Sequence, residues 1–350
     1  EVRSAALEAM AALGGPEQVQ VLADIAAGDG QQSQIAFQSL VRLTGTKVDD
    51  RIVSLLKSAD VGTGMRRVLV RASAKRGIRE AVPALMEMAR GDDAGLRTQA
   101  MQSLAQLARP EDAQELINLL AETGARAVEN AIVAASERIE DQGQRIRPVL
   151  NAMEEADDAG AQASFIRILG RLGGAKALEA ITDAVDSGQE EVRTTAVRTL
   201  SDWGTMEPAD TLLDVAHENP RDVTGILALR GYINMVGAAE ELSTAEKLKH
   251  YEKAMKAAAR ASEKKRVLSG VGQLASPAAL NFLGGYLHEN NVKTEAQTAY
   301  MSAAKKIAVS NPELAREDLK RLVDESDNKQ VRAQARSALQ NMHQHNGFIL

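Results

Sequence analysis

The densest cluster of cationic side chains lies between residues 65 and 79, a stretch that contains no acidic residue. Arg67, Arg71 and Lys75 follow one another at intervals of four residues, so they would share one face of a helix. Guanidinium and ammonium groups in such a row could bind a phosphate or an acidic partner. The alternative is a solvated helix face whose charge is balanced by neighbouring turns. We predict that the binding residues of this stretch are Arg66, Arg67, Arg71 and Lys75.

A second group of candidate binding residues lies between residues 230 and 265. Arg230, Tyr232 and Tyr251 combine a cation with two phenol rings, which suits a small-ligand site or a domain-docking site. The alternatives are that the tyrosines fill packing gaps and that the basic stretch is a solvated helix. The basic side chains that complete this group are Arg260, Lys264 and Lys265.

The residue types needed for common catalytic and metal centres are absent or poorly placed. The sequence has no cysteine, which excludes thiol nucleophiles, disulfides and cysteine-bound metals. Its close histidine pair, His343 and His345, would point to different faces of a helix. No Ser–His–Asp set or glycine-rich phosphate loop can be placed. We therefore predict that the chain is not an enzyme and has no catalytic residue, cofactor or metal.

The composition restricts both the core and the partners. The chain has 350 residues, of which 44% are hydrophobic but only 3% aromatic, so its core must be built from Ala, Leu, Val and Ile. A net charge of −6 argues against a dedicated nucleic-acid binder, because such proteins present clustered basic residues on a basic domain. No run of about 18 apolar residues occurs, so we predict no membrane insertion.

The organisation of the chain follows from a repeat that recurs every 30–35 residues, with one longer interval of 38 residues after Val236. Each copy reads apolar, Arg, two residues, Ala, three residues and a large apolar residue. This period indicates two-helix units that bury their apolar faces against one another. The predicted fold is all-α, an alpha-alpha superhelix of about eleven repeats. The clearest copies are Glu1–Gly14, Gly91–Leu107, Glu190–Trp203 and Lys329–Met342.

Shorter helices are predicted between the motif-bearing helices, with proline in the first turn and glycine after the preceding helix. Ser243 and Glu246 resemble a capping box that opens a longer helix inside the irregular interval of about 237–263. The predicted domain is a single solenoid over 1–350 that starts in the middle of a repeat. The apolar end, Gly347–Leu350, suggests a fragment of a larger protein.

Two features concern arginines of the repeat. The Arg at the third position of the motif recurs, and we predict that it donates to carboxylates and carbonyls of adjacent turns. Arg76 occupies a position where the other copies have an apolar residue, which predicts either a distorted third repeat or a partner-facing site. The recurring arginines are Arg3, Arg66, Arg97, Arg193 and Arg332.

These Val-Arg-x-x-Ala-x-x-x-Leu cores resemble the HEAT-repeat family in its short bacterial form, which includes the phycobilisome-lyase-type repeats. The resemblance covers essentially the whole chain and implies a HEAT-repeat solenoid. A narrower resemblance covers about residues 226–288, with Ala228–Ile233 and Val267–Gly272 as its most distinctive segments. They are similar to the HEAT region of secreted bacterial proteins that carry a 3-keto-disaccharide hydrolase-type domain.

Three functions follow as hypotheses. The first is a non-catalytic scaffold that binds a protein partner or a neighbouring domain, with the motif helices lining a concave surface. The second is the accessory arm of a secreted carbohydrate-active enzyme, which the narrower resemblance implies. The third is a HEAT-like lyase or DNA glycosylase. The acidic charge and the scarcity of aromatic residues disfavour the glycosylase, and the lyase rests only on repeat similarity, which does not transfer function. We expect a monomer that binds no nucleic acid, in a bacterial periplasmic or secreted location.

Overall fold

The computed structural model describes residues 2–45 and 47–346, with side chains up to residue 342. The described residues form 21 α-helices joined by short loops and three 3-10 turns, and they contain no β-strand. The side chains of the histidines at 343 and 345 are not among those described. The apolar end at 347–350 lies outside the described residues.

The odd-numbered helices carry the sequence motif, and we call them the motif helices. The first six are α1 Val2–Leu13, α3 Gln31–Arg42, α5 Thr63–Arg76, α7 Ala94–Leu107, α9 Ala127–Ser136 and α11 Ala159–Leu172. The other five are α13 Glu190–Ser201, α15 Val223–Ala238, α17 Ala261–Val271, α19 Lys293–Ile307 and α21 Lys329–Asn346.

The even-numbered helices connect the motif helices, and we call them the linking helices. They are α2 Gln18–Ala26, α4 Val48–Lys57, α6 Val82–Arg90, α8 Ala113–Thr123, α10 Gln142–Glu155, α12 Ala175–Asp183, α14 Ala209–Glu218, α16 Thr244–Ala257, α18 Pro277–Gly284 and α20 Pro312–Glu325. Eleven motif helices confirm the predicted number of repeats.

The helices are grouped in two compact units, of which the first ends at Ala180 and the second begins at Ile181. Within the first unit, each motif helix from α1 to α11 packs against the next motif helix along the chain. The same succession of contacts runs from α13 to α21 in the second unit. Nearest-neighbour packing of this kind is the property that defines a helical repeat array. The prediction of one solenoid over 1–350 stays a prediction.

The core of each unit consists of aliphatic and alanine side chains, as the composition predicts. Leu69, Leu104 and Ile132 of successive motif helices are fully buried in the first unit. Leu200 and Ile307 are fully buried in the second unit. Alanines between these residues are also buried, which allows the helices to approach closely.

The helix boundaries follow the predicted signals with one exception. Ser243 and Glu246 form the capping box that opens α16, and Pro277 and Pro312 begin α18 and α20. Gly77 ends α5 with a φ of 73°, a conformation that glycine adopts without steric cost. Gly237 was expected beyond a helix end, but it lies inside α15, because that helix continues to Ala238.

The arginine at the third motif position satisfies backbone carbonyls just before its own helix. Arg66 donates to the carbonyl of Ser58 at 2.7 Å, and Arg193 donates to that of Ser187 at 2.6 Å. Both acceptors are the residues that follow the last helical turn, where carbonyls have no partner within the helix. The predicted hydrogen bonds to carbonyls of adjacent turns are therefore confirmed for these arginines.

Arg76 has the same role between repeats. Its guanidinium donates to the carbonyls of Val41 and Leu43, both at 2.8 Å, at the end of α3. It also donates to Asp49 Oδ1 at 2.7 Å, and its side chain is only 13% exposed. This guanidinium therefore caps the preceding motif helix and does not itself face a partner, whereas a distorted or partner-facing third repeat stays a prediction.

Two glycines of the second unit allow especially close contact between neighbouring helices. A Cβ at Gly231 of α15 would lie 2.0 Å from Ser201 Oγ of α13. A Cβ at Gly270 of α17 would lie 2.6 Å from the ring of Tyr251 in α16. Any larger residue at either position would force the two helices apart.

Replacing a fully buried motif leucine should unfold the first unit. In Leu104→Asp, an unpaired carboxylate would be buried between layers of helices, at a cost of about 4 kcal/mol or more. Circular dichroism should show a large loss of helicity and of thermal stability. Arg67→Glu is the control, since Arg67 is 44% exposed in its pair with Asp93, and its loss should cost less than about 1 kcal/mol. Equal loss of helicity in both variants would contradict this assignment.

Candidate functional site

The four predicted binding residues of the 65–79 stretch lie on α5, but they do not share one environment. Arg66 is partly buried and donates to the carbonyl of Ser58, so its role is structural. Arg67 reaches Asp93 at 2.9 Å, in the loop before α7. The remaining two cations, Arg71 and Lys75, are exposed one turn apart.

Arg71 and Lys75 line a groove of about 260 Å³ between α3, α5 and α7. The guanidinium of Arg71 lies 4.4 Å from the ring centre of Phe37, in a cation–π contact that holds it in place. Lys75 makes no ion pair with any described residue. The groove therefore presents one positioned cation and one unpaired cation to the solvent.

The opposite wall of the groove is a row of glutamines on α7 that the sequence analysis did not single out. Gln99, Gln102 and Gln106 line the groove at helical spacing. Gln99 Oε1 is buried and accepts no hydrogen bond. Ser103 also lines the groove. Its hydroxyl donates to the carbonyl of Val70 at 3.1 Å and is not activated by a base. The available signal was the recurrence of glutamine at i, i+3 and i+7 along α7.

Among the motif helices of the first unit, acidic residues are confined to two, α1 with exposed Glu8 and α9. Helices α3, α5, α7 and α11 contain no Asp or Glu. The single acid of α9, Glu129, is 5% exposed and accepts two hydrogen bonds from Arg167, at 2.6 and 3.0 Å. Motif helices α3, α5, α7, α9 and α11 therefore carry no exposed acid to offset the cations of the groove.

In the second unit, the predicted binding residue Arg230 is bound to a buried acid. Its guanidinium contacts Glu263 Oε1 at 2.6 and 3.0 Å, and Glu263 is 1% exposed. Burial raises the pKa of Glu263, but hydrogen bonds from Ser262 and Arg230 and the nearby guanidinium charges outweigh it and hold the pKa below the ordinary value. The sequence shows Glu263 only as an interruption of a basic stretch.

The predicted tyrosines of this region are buried. Tyr232 is fully buried, and its hydroxyl lies 2.7 Å from His250 Nδ1. Burial raises the pKa of Tyr232 and lowers that of His250, because both charged forms are poorly solvated. Tyr251 is 3% exposed and lies against the backbone of Gly270. Both rings therefore occupy the contacts of α16 with its neighbours.

The remaining predicted residues surround the start of α17. Arg260 is half exposed, 3.7 Å from Glu263 Oε2, and Lys264 pairs with Glu289 at 3.0 Å. Lys265 is exposed. The structure thus brings Arg230, Arg260 and Glu263 together, whereas ligand binding by this group stays a prediction.

A further polar cleft, of about 480 Å³, lies between α18, α19 and α20. The Tyr300 hydroxyl donates to Asp318 Oδ1, whereas Asp318 Oδ2 is buried without a hydrogen-bond partner. Burial raises the pKa of Asp318, despite the opposing effects of the Tyr300 hydrogen bond and the Arg321 charge. The sequence analysis missed this pair, since the two residues are brought together only by helix packing.

The described residues contain neither a metal-binding cluster nor a membrane-spanning helix. No group of three or more His, Cys, Asp and Glu side chains could hold a metal ion there. None of the described helices is both long and apolar enough to span a membrane.

The comparisons with known proteins agree with this architecture. Residues 146–230 match the family described as HEAT repeats. The fold is that of a HEAT-repeat solenoid. Kap95p, in its complex with RanGDP, is similar with a TM-score of 0.54 and 12% identity, over 93% of this chain and 51% of that one. Kap121p bound to Pho4p has a TM-score of 0.50 and 14% identity, over 95% and 47%.

Two further results limit functional inference. The CpcE–CpcF complex of phycocyanin lyase from Nostoc sp. PCC7120 has 20% identity over 69% of this chain and 94% of that one, but its TM-score is only 0.30. No curated protein matches the sequence. At these identities the similarities establish the fold, and the resemblance of residues 226–288 to secreted glycoside-active proteins stays a prediction.

Removing Arg230 should destabilise the second unit by leaving a buried carboxylate without its main partner. We expect Arg230→Met to cost about 2 kcal/mol near neutral pH. Because the pKa of Glu263 is lowered in the folded state, the stabilisation is present above the ordinary glutamate pKa and is lost as pH falls through the lowered value. Denaturant unfolding at several pH values measures this difference.

Arg198→Met is the matched control, because Arg198 is exposed on α13 and has no ion-pair partner among the described residues. It should change the free energy of unfolding by less than about 0.5 kcal/mol. A similar loss in both variants, or a loss that persists unchanged in acid, would show that the Arg230–Glu263 pair is not the cause.

Replacing Asp318 should stabilise the protein, and the pH dependence of this effect should be opposite to that of the Arg230–Glu263 pair. Its raised pKa means that the folded state prefers the neutral carboxyl, so stability falls as pH rises from the ordinary value through the raised one. Asp318→Asn keeps an acceptor for Tyr300 without a buried charge. We expect melting about 2 °C higher at neutral pH, with the gain vanishing in acid. Glu317→Gln, an exposed change on the same helix, should show no such trend; a less stable Asp318→Asn would refute the argument.

Proposed function

We propose that this protein is a non-catalytic scaffold that binds another protein, or a neighbouring domain of its own chain, through the exposed face of its motif helices. The observation that carries the proposal is the groove between α3, α5 and α7. It combines Arg71, Lys75 and a row of glutamines on a face without acidic residues. A surface with unpaired cations and free amides is suited to recognition of a partner.

The hydrogen bonds and ion pairs of the other arginines on α5 support this assignment. Arg66 is engaged by a carbonyl within its own repeat, and Arg67 and Arg76 are engaged in contacts between repeats. Arg71 and Lys75 make no such contact between repeats, other than the stacking of Arg71 on Phe37. Structural needs therefore account for the first three cations and leave the groove cations available.

The fold supports the same assignment at a coarser level. Kap95p binds RanGDP and Kap121p binds Pho4p, so arrays of this fold hold protein partners in these two cases. Each of those proteins is about twice as long as the matched region. The likeness bears on what the fold can do and leaves the identity of the partner open.

Site-specific photo-cross-linking in the cells that make the protein tests the proposal. A photoreactive phenylalanine analogue would replace Gln102 in the groove, and in a second variant Gln144, which is exposed on linking helix α10. We expect protein adducts, or a cross-link to a domain of the same chain, at position 102 and few at position 144. No adduct at 102, or equal yields at both positions, would contradict a binding role for the motif-helix face.

A further inference from the structure

We infer that the groove binds an extended, acidic segment of the partner protein, which crosses the motif helices with its carboxylates about three residues apart. This inference rests on the proposed scaffold function and adds the chemistry and the conformation of the ligand.

The sign of the ligand follows from the groove charges. Arg71 and Lys75 are one turn apart on α5, and the motif helices on either side, α3 and α7, contain no acid. The contact of Arg71 with Phe37 restricts the guanidinium before a ligand arrives, which lowers the entropy cost of binding. A carboxylate is the complementary group, since it can accept hydrogen bonds from both cations.

A second cation lies farther along the same path. Arg138, just beyond the end of α9, donates to the carbonyl of Ala108 at 2.6 Å and to that of Gln106 at 3.3 Å. Its exposed side chain therefore lies beside the glutamine row of α7. The groove cations on α5 and the Arg138 guanidinium at the end of α7 therefore lie on either side of the glutamine row.

Helix spacing sets the distance between the acidic positions. Packed helices lie about 8–10 Å apart, and an extended chain advances about 3.3 Å per residue. Each motif helix therefore corresponds to about three ligand residues. A carboxylate at Arg71 and Lys75 and another at the Arg138 guanidinium, which is bonded to the end of α7, are one helix apart, which is about three residues.

The glutamines of α7 suit the peptide backbone between the two acids. Gln99 Oε1 is buried without a donor, and a ligand amide N–H is the group that it lacks. Gln102 and Gln106 are exposed and can both donate and accept hydrogen bonds. An extended segment has its main-chain amides unpaired, whereas a helical segment has already used them.

A protein ligand fits better than a nucleic acid. The aromatic ring of the groove, Phe37, is covered by the Arg71 guanidinium and is unavailable for stacking on a base. The whole chain carries a net charge of −6, so a long polyanion would be repelled outside the groove. A short segment with a few carboxylates avoids that repulsion.

Fluorescence anisotropy with the whole chain tests the inference. The probe is a labelled peptide of about ten residues with glutamate pairs separated by about three residues, the span calculated from helix spacing. An isomer with its glutamates adjacent, a lysine version and an oligo-dT strand serve as comparisons. The groove variant is Arg71→Glu with Lys75→Glu. The matched control, Lys57→Glu with Arg147→Glu, changes the charge equally on exposed residues of linking helices α4 and α10.

We expect the spaced acidic peptide to bind the unmodified chain and the control variant equally, and the groove variant about tenfold or more weakly. The adjacent-glutamate isomer, the lysine peptide and oligo-dT should all bind more weakly. Equal loss in the control variant, preference for the lysine peptide, or tighter groove-dependent binding of oligo-dT would overturn the inference. Absence of peptide binding together with protein adducts at position 102 would refute the acidic ligand while leaving the scaffold function standing. Absence of both would refute the two together.

Discussion

The carbonyl groups at helix ends impose the constraint that organises this molecule. A stack of short helices repeatedly ends in backbone carbonyls that have no partner within the helix. Arginine solves this problem, because its guanidinium offers five donors in a fixed plane. Arg66 and Arg193 act within their own repeat, whereas Arg76 and Arg138 act on the preceding motif helix. The choice of which arginines hold the repeats together also determines which remain for a partner.

The sequence predicts the fold well, because its signals are local. The motif itself, the prolines and the capping box at Ser243 each concern residues within a few turns of one helix, and the structure confirms the helices that they predict. The environment of Arg76 could not be predicted, since its acceptors lie about 33–35 residues away on another helix. The same reason applies to Glu263, whose burial depends on the approach of α15.

The candidate site was predicted only in part. Helical spacing places Arg71 and Lys75 on one face, and the groove includes them both. Spacing does not reveal that Arg67 faces Asp93, or that α7 supplies glutamines opposite. In the second unit the residue types suggested a polar–aromatic site, but composition cannot distinguish an exposed tyrosine from one that fills a gap. Tyr232 and Tyr251 are of the second kind.

The close glycine contacts of the second unit limit which repeats of this chain could take one another's place. Gly231 fits against Ser201, whereas the positions that correspond to it in α5 and α7 are Arg71 and Gln102. A motif helix from the first unit, moved by recombination into the place of α15, would bring a long side chain where no Cβ fits. Repeats that share one sequence motif are therefore not interchangeable, because each motif helix is fitted to the particular neighbour against which it packs.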